Sequence, residues 1–252
     1  MIESVQNPQI KRLRKLLTSA SFRKKESAFV IESLKVADAF FRQFPDHVQT
    51  LYVVDSIDVP DLFSSLPIEY VHASVMAELS SLETASGFCC LCSMPPDPVL
   101  TSTHQEGRYL FLDGVRDPAN FGAIVRSATA FGIDAILASS DSVDVFHPKT
   151  LRSMAGLGFT VPILKNADAV LDQSEWASMT WVLLDVSGGC SLSELSVQGP
   201  TVFVLGSEGQ GLSSRFKRLK TVVTCTIPLA PGVESLNVAV TAGIVCYALS
   251  GW

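Results

Sequence analysis

The chain has 252 residues, 47% of them hydrophobic and 17% charged, with a formal net charge of −6. This balance excludes a disordered chain and supplies apolar side chains for one large core or two modest ones. The longest apolar run, 236–249, includes Asn237 and Thr241 and falls short of the ~20 residues that a membrane-spanning helix needs. MIESVQNPQIKRLRK at the start has no apolar signal core, so a soluble, cytoplasmic protein is expected.

Charge is unevenly placed. Residues 1–25 hold seven basic side chains and one acid, while the remainder holds 12 basic and 24 acidic. A basic end on an acidic body predicts a local contact with a polyanion. The first element is a helix over 8–17, where Ile10, Leu13, Leu16 and Leu17 recur at helical spacing. Asn7 followed by Pro8 supplies a cap and a first-turn proline. Lys11, Arg12, Arg14 and Lys15 lie between the apolar positions, with Arg23 and Lys24 beyond them. Either these side chains hold phosphates, or the helix is simply amphipathic and solvated. Strands at 28–31, 50–54 and 88–94 and helices at 34–44 and 74–81 complete an α/β module over 1–94. Cys89 and Cys92 form a C-x-x-C without a second pair or a nearby His to close a zinc site. With Cys90, Cys190, Cys225 and Cys246 they read as core thiols, and no metal is expected.

Three prolines within 95–98, followed by polar residues, mark a linker over 95–107. From 108 to 252 the pattern changes. Strands at 109–112, 135–138, 181–186, 202–205 and 222–227 are interleaved with helices at 120–131, 149–155, 212–219 and 236–249. Such interleaving predicts a mostly parallel sheet covered on both faces, with ligands gathered beyond the carboxyl ends of its strands.

Three strand-to-helix loops are rich in Gly, Pro and polar residues. In LDGVRDPANFGAIVRSATAFG (112–132), Asn120 reads as a helix cap. Arg126 has Ile124, Val125 and Ala128 as neighbours on a helix expected to face the core. Its guanidinium either pairs with a carboxylate or meets an anionic ligand. In VLGSEGQGLS (204–213) the glycine order is not G-x-G-x-x-G, and no P-loop Lys follows. Glu208 would repel a pyrophosphate, so the loop suits a neutral or cationic ligand close to the backbone, or is a plain flexible turn. In IPLAPGVESLNVAVTAG (227–243), Ser235 or Asn237 could cap the last helix. Both of them, plus Glu234, exceed what one cap requires.

NFGAIVR (120–126), GSEGQGL (206–212) and IPLAPGVESLNVAVTAG (227–243) together resemble, in order and closely in spacing, the signatures of the SpoU (TrmH-type) RNA 2′-O-ribose methyltransferases of the SPOUT superfamily. NPQIKRLRKLLTSASFRKKESAFVIES (7–33) is similar to the opening of that family's accessory domain, with Ser33 after Glu32 where Gly is usual. In LRSMAGLG (151–158), Met154 replaces a small residue, a change expected to alter the substrate surface.

The resemblance implies an α/β fold with two domains. The C-terminal domain would be a SPOUT-type parallel sheet whose last segments thread a trefoil knot, an exception to the rule against knots. A smaller N-terminal α/β domain would bind RNA. The resemblance also implies S-adenosylmethionine held by backbone near Leu205, Gly206, Ile227, Leu229 and Leu236. Arg126 becomes the central catalytic residue, with Asn120, Glu208, Ser235 and Asn237 orienting it, the cofactor and the ribose. A homodimer is implied, with the final helix and the first-motif helix at its interface. The implied reaction moves a methyl group from a sulfonium to a ribose 2′-hydroxyl. A guanidinium stays protonated, so Arg126 is expected to grip the adjacent phosphate rather than act as a base. Ribosomal RNA is favoured over transfer RNA, because a separate N-terminal module is present and no basic extension follows the last helix. One alternative is a paralogue that binds RNA but has lost catalysis; the five polar residues argue against it. A nucleotide-dependent oxidoreductase needs a Gly-rich first loop and an acid about 20 residues on, which LDGVRDPANFG does not supply.

Overall fold

The computed structural model describes residues 1–82, 84–100, 107–207, 209 and 211–250. The chain divides into two compact units, Met1–Pro96 with Phe146–Phe159, and Asp97–Val145 with Thr160–Trp252.

The first unit opens with α1 (Pro8–Thr18), capped by Asn7, whose Oδ1 accepts the Gln9 amide at 2.8 Å. The apolar stripe of Ile10, Leu13, Leu16 and Leu17 is buried, as its spacing requires. A second helix, α2 (Ala20–Glu26), follows at once, started by the Ser19 side chain and ended by Ser27 in the left-handed region. Then come β1 (Ala28–Ile31), α3 (Leu34–Gln43), β2 (Val48–Val53), β3 (Ile68–Tyr70), α4 (Ala73–Leu79) and β4 (Phe88–Ser93). The sheet order is β1-β4-β2-β3, with β4 antiparallel to β1 and β2, and β3 parallel to β2. Cys89, Cys90 and Cys92 are buried in β4.

The basic residues of this unit separate into two kinds. Lys11, Arg14, Lys15 and Lys24 are exposed. Arg12 is half-buried and pairs with Glu26 at 3.2 Å, and Arg14 donates to the Glu78 carbonyl at 3.3 Å. Arg23 corrects the expectation of a phosphate contact. It is 1% exposed and donates Nη1 to the Leu16 carbonyl at 2.6 Å. It therefore satisfies carbonyls at the end of α1 that have no intrahelical partner, and its charge does not reach the surface.

In the second unit β5 (Arg108–Asp113) leads to α5 (Pro118–Ala130) and β6 (Ala135–Ala138). The next helix, α6 (Pro148–Met154), belongs to the first unit, whereas contiguity of sequence had assigned 146–159 to the second domain. Aromatic packing explains the difference: Phe146 lies 4.4 Å from the Phe29 ring and Phe159 lies 5.0 Å from Phe40, centroid to centroid. Arg152 on α6 also pairs at 3.2 Å with the buried Glu32, which Ser80 and the Ser81 amide bond as well. Met154 is fully buried, so it does not alter a substrate surface as expected but fills core. The second unit resumes with β7 (Ile163–Leu164), α7 (Ser174–Ala177), β8 (Thr180–Leu184), β9 (Cys190–Ser191), β10 (Thr201–Gly206), β11 (Val222–Thr226) and α8 (Val238–Leu249).

Among the described residues its sheet has seven strands in the order β7-β6-β5-β10-β8-β11-β9, and every registered pair is parallel. The central strands read as continuous apolar runs because both faces are covered; Val202 to Leu205 are buried without a break. One core cluster gathers Phe111, Trp181 and Phe216. The expected helix over 212–219 is instead a 3-10 segment, Ser214–Arg218.

Candidate active site

The site begins where the parallel strands end. Beyond β8, β10 and β11 lies a cavity of about 550 Å³. Its wall takes Leu184, Asp185 and Val186 from the end of β8, and Leu205 to Ser207 with Gly209, Gly211 and Leu212 from the loop after β10. Cys225, Ile227, Leu229 and the run from Ser235 to Val238 come from β11 and the loop after it, and Thr241 from α8. All five residues implied for a cofactor, Leu205, Gly206, Ile227, Leu229 and Leu236, fall on this one wall, as do Ser235 and Asn237. Glu208 lies outside the described residues.

Local chemistry explains the two polar helix mouths. Asp117, not Asn120, caps α5: its Oδ1 accepts the amides of Ala119 and Asn120, both at 2.8 Å. That leaves the Asn120 side chain for another contact, and its Oδ1 accepts the Asn237 Nδ2 at 3.1 Å. Asn237 meanwhile caps α8 through Oδ1, accepting Ala239 N at 2.9 Å and Val240 N at 3.3 Å. One asparagine thus starts a helix and ties it to the helix of the first loop. Ser235 and Glu234 are exposed, and of the two Ser235 lines the cavity.

Arg126 differs from its expected setting. Phe121, Ile124, Val125 and Ala128 form the buried stripe of α5, while Arg126 is exposed on the other side. It makes no ion pair with another described residue, which removes the structural-pairing alternative within the described chain.

The glycine loop is held closely. Ser207 and Gly211 exchange backbone hydrogen bonds at 3.2 and 3.0 Å. A Cβ placed on Gly206 would stand 2.5 Å from the Gly211 carbonyl carbon, so two stretches of backbone meet there with no room for a side chain. The loop's far end is anchored by buried Asp113, which accepts the Ser213 amide at 2.6 Å and hydroxyl at 3.1 Å. Arg215 completes the anchor, pairing with Asp113 and Asp141 at 3.2 Å each and with Asp168. Sequence reasoning missed Asp113 and Arg215, because each is an ordinary surface residue type whose partner lies far along the chain, and Asp185, which only the approach of β11 and the loop after β10 makes part of a cavity wall.

Three titratable groups here depart from their ordinary values. Burial pushes the Asp141 carboxyl up, but hydrogen bonds from Ser139 and its own backbone, with the Arg215 charge, outweigh it and leave it lowered. Ser187 holds the Asp185 carboxyl below the usual carboxylate range through its hydroxyl and amide. Burial, with the neighbouring Cys190, pushes the Cys225 thiol up to about 11.

With this geometry in hand, similarity to known proteins becomes informative. The family model of the "SpoU rRNA Methylase family" matches residues 107–247. A Bacillus subtilis (strain 168) protein, "23S rRNA (guanosine(2553)-2'-O)-methyltransferase RlmP", is 29% identical over 252 residues, covering 99% of this chain and 99% of its own. An "Uncharacterized tRNA/rRNA methyltransferase" of Synechocystis is 33% identical over 257 residues, covering 98% of this chain and 92% of its own. Among solved structures, an "AdoMet bound rRNA methyltransferase from Sinorhizobium meliloti" superposes with a TM-score of 0.82 at 25% identity, covering 98% of this chain and 95% of its own.

Proposed function

This chain belongs to the SpoU rRNA methylase family, and from that membership we propose that it methylates ribosomal RNA as a cytoplasmic homodimer, through the residues gathered at the cavity beyond β10 and β11. Its activity is the S-adenosylmethionine-dependent methylation of a ribose 2′-hydroxyl in RNA.

The residues at the cavity fit that methyl donor. A volume of about 550 Å³ is within the range of small-molecule sites. The wall combines apolar side chains for a purine with the polar groups of Ser235, Asn237 and Thr241. Gly206, Gly209 and Gly211 on that wall put main-chain groups, rather than side chains, beside a ligand. When bound, S-adenosylmethionine supplies an electrophilic methyl group on a sulfonium.

The chain's own residues then have to bring a weak nucleophile into line with that methyl group, and positioning is the main contribution. Arg126 grips the phosphate beside the target ribose and polarises the hydroxyl. Its guanidinium stays charged at all working pH, so the 2′ proton leaves to another acceptor. Asn120 and Asn237 orient the ribose from the two helix mouths, and Ser235 and Glu208 complete the set. The segment after β11 threads a trefoil knot in this reading. Support comes from the cavity wall, where residues 227–237 stand beside the ends of β8 and β10.

The homodimer reading is supported by α8, on which Val240 and Tyr247 are 51% and 65% exposed and Ile244 is open as well. Such an apolar face is what a self-complementary interface buries. Exposed Lys11, Arg14, Lys15 and Lys24 hold RNA backbone phosphates, giving salt-sensitive binding. Free cysteines, Cys89, Cys90, Cys225 and Cys246 being buried, suit the reducing cytoplasm.

The single observation that carries the site assignment is the 3.1 Å bond that ties Asn120 to Asn237, which itself stands on the cavity wall. The test is methyl transfer from labelled donor to ribosomal and transfer RNA. Label on ribosomal RNA, lost by about 100-fold or more in Arg126→Ala with donor affinity unchanged, is expected if its transition-state contact is worth about 3 kcal/mol. Label on transfer RNA alone refutes the substrate, and near-normal turnover in that variant refutes the role of Arg126.

A further inference from the structure

One side chain on the cavity wall is unused by this mechanism. We propose that Asp185 is a specificity-determining residue that favours the cationic methyl donor over its neutral demethylated product. The proposal rests on the donor-site reading above.

Asp185 directly follows β8 and is held from two directions. Its amide donates to the Cys225 carbonyl at 2.9 Å, fixing the backbone at the wall. The Ser187 amide and hydroxyl both donate to its Oδ1, at 2.8 and 2.6 Å. Among the described residues nothing donates to Oδ2. Asp185 is also the one charged side chain among the described lining residues, the rest being apolar, glycine or neutral polar. The Ser187 bonds lower the carboxyl further below the usual carboxylate range, and it carries a full negative charge at neutral pH.

The reaction changes charge in a way this carboxylate can sense. S-adenosylmethionine carries a sulfonium, an ammonium and a carboxylate, for a net charge of +1. On transfer, the ribose oxygen bonds the methyl carbon, the carbon–sulfur pair returns to sulfur, and the 2′ proton leaves to water. S-adenosylhomocysteine remains, identical in shape apart from the methyl group and neutral overall. At a separation of about 8 Å, one fixed negative charge at an effective dielectric of ~20 corresponds to about 30-fold in affinity between the two. Solvent at the half-buried carboxyl reduces this, and about 10-fold is expected. Asp185 thereby loads the donor and lets the product go.

The test is calorimetric titration of the full chain and of Asp185→Asn with S-adenosylmethionine, S-adenosylhomocysteine and sinefungin, whose ammonium stands in for the sulfonium. Asp185→Asn should weaken both cationic ligands about 10-fold and the neutral product less than 2-fold. Equal weakening of all three overturns the proposal, since Asp185 would then bind a group they share; unchanged donor affinity overturns it too. A second measurement needs no variant. The wild-type preference for donor over product should shrink between 50 and 500 mM salt, as screening requires, and a salt-independent ratio contradicts the charge argument. If the wild-type chain binds none of the three ligands, the donor-site reading itself falls, and this proposal with it.

Discussion

Replacing Asn237 separates the two functions of its side chain. Oδ1 caps α8 through the amides of Ala239 and Val240, and Nδ2 donates to Asn120. Losing an N-cap costs about 1 kcal/mol, and losing a partly solvated side-chain hydrogen bond about 1 kcal/mol more. Asn237→Ala should therefore destabilise the second unit by about 2 kcal/mol, or about 4–8 °C in its melting temperature. Asn237→Ser keeps an oxygen that can cap, since Ser ranks with Asn at this position, but its side chain is too short to reach Asn120. It should recover about half of the lost stability and little of the lost turnover. The assays are thermal denaturation and single-turnover methyl transfer on the same preparations. Adding Asn120→Ala to Asn237→Ser should cost less than Asn120→Ala costs on its own, because the bond between the two asparagines is already gone. Full recovery of turnover in Asn237→Ser would show that the bond between the two asparagines has no catalytic consequence. A melting temperature unmoved by Asn237→Ala would refute the capping argument.

Gly206→Ala sets a Cβ against the backbone of Gly211 and Leu212, at 2.5 to 2.8 Å. The loop must move, costing about 1–3 kcal/mol and about 10-fold or more in donor affinity by calorimetry; unchanged affinity would contradict the close approach. Arg23→Met should lower stability by about 2 kcal/mol through the carbonyls it abandons, yet leave RNA affinity alone below the melting range. Lys11→Glu, Lys15→Glu and Lys24→Glu combined should do the reverse, weakening RNA binding and flattening its log–log salt dependence by about two to three. Buried Cys225 and Cys246, with thiols pushed up from 9.0 to about 11 and about 12, stabilise the fold while protonated. Their contribution is complete below pH ~9 and declines as pH rises towards ~11–12, because the unfolded chain loses those protons first. Urea midpoints from pH 8 to 10.5 should fall, and fall less steeply in Cys246→Ala.

Much of the architecture is written in local spacing. The α1 stripe of Ile10, Leu13, Leu16 and Leu17 is buried as its period requires, and the apolar runs of β5, β8 and β10 form the middle of a parallel sheet. The alternation of those runs with helices was enough to send three polar loops to one end of the sheet, and five implied cofactor residues do share a wall there. Strands as short as β7 and β9, two residues each, carry too few side chains to show a period of two. They are strands because a neighbour offers hydrogen bonds, and that is no property of their own sequence.

The amino-acid order by itself determined which residues share a face of each helix or strand, and where backbone must turn, since these depend on neighbours a few positions away. It could not determine what each face meets. Arg23 is buried although a phosphate contact was the natural reading of it, and Arg126, for which a carboxylate partner and an anionic ligand were both open, is exposed without an ion pair to another described residue. Residues 146–159 pack with the first unit because Phe146 and Phe159 find Phe29 and Phe40. The expected helix at 212–219 gives way to a tighter turn, where Ser213 and Arg215 bond an aspartate about 100 residues earlier. Charge and apolar area act through space, so the partner of a side chain is decided only when folding has brought distant segments together.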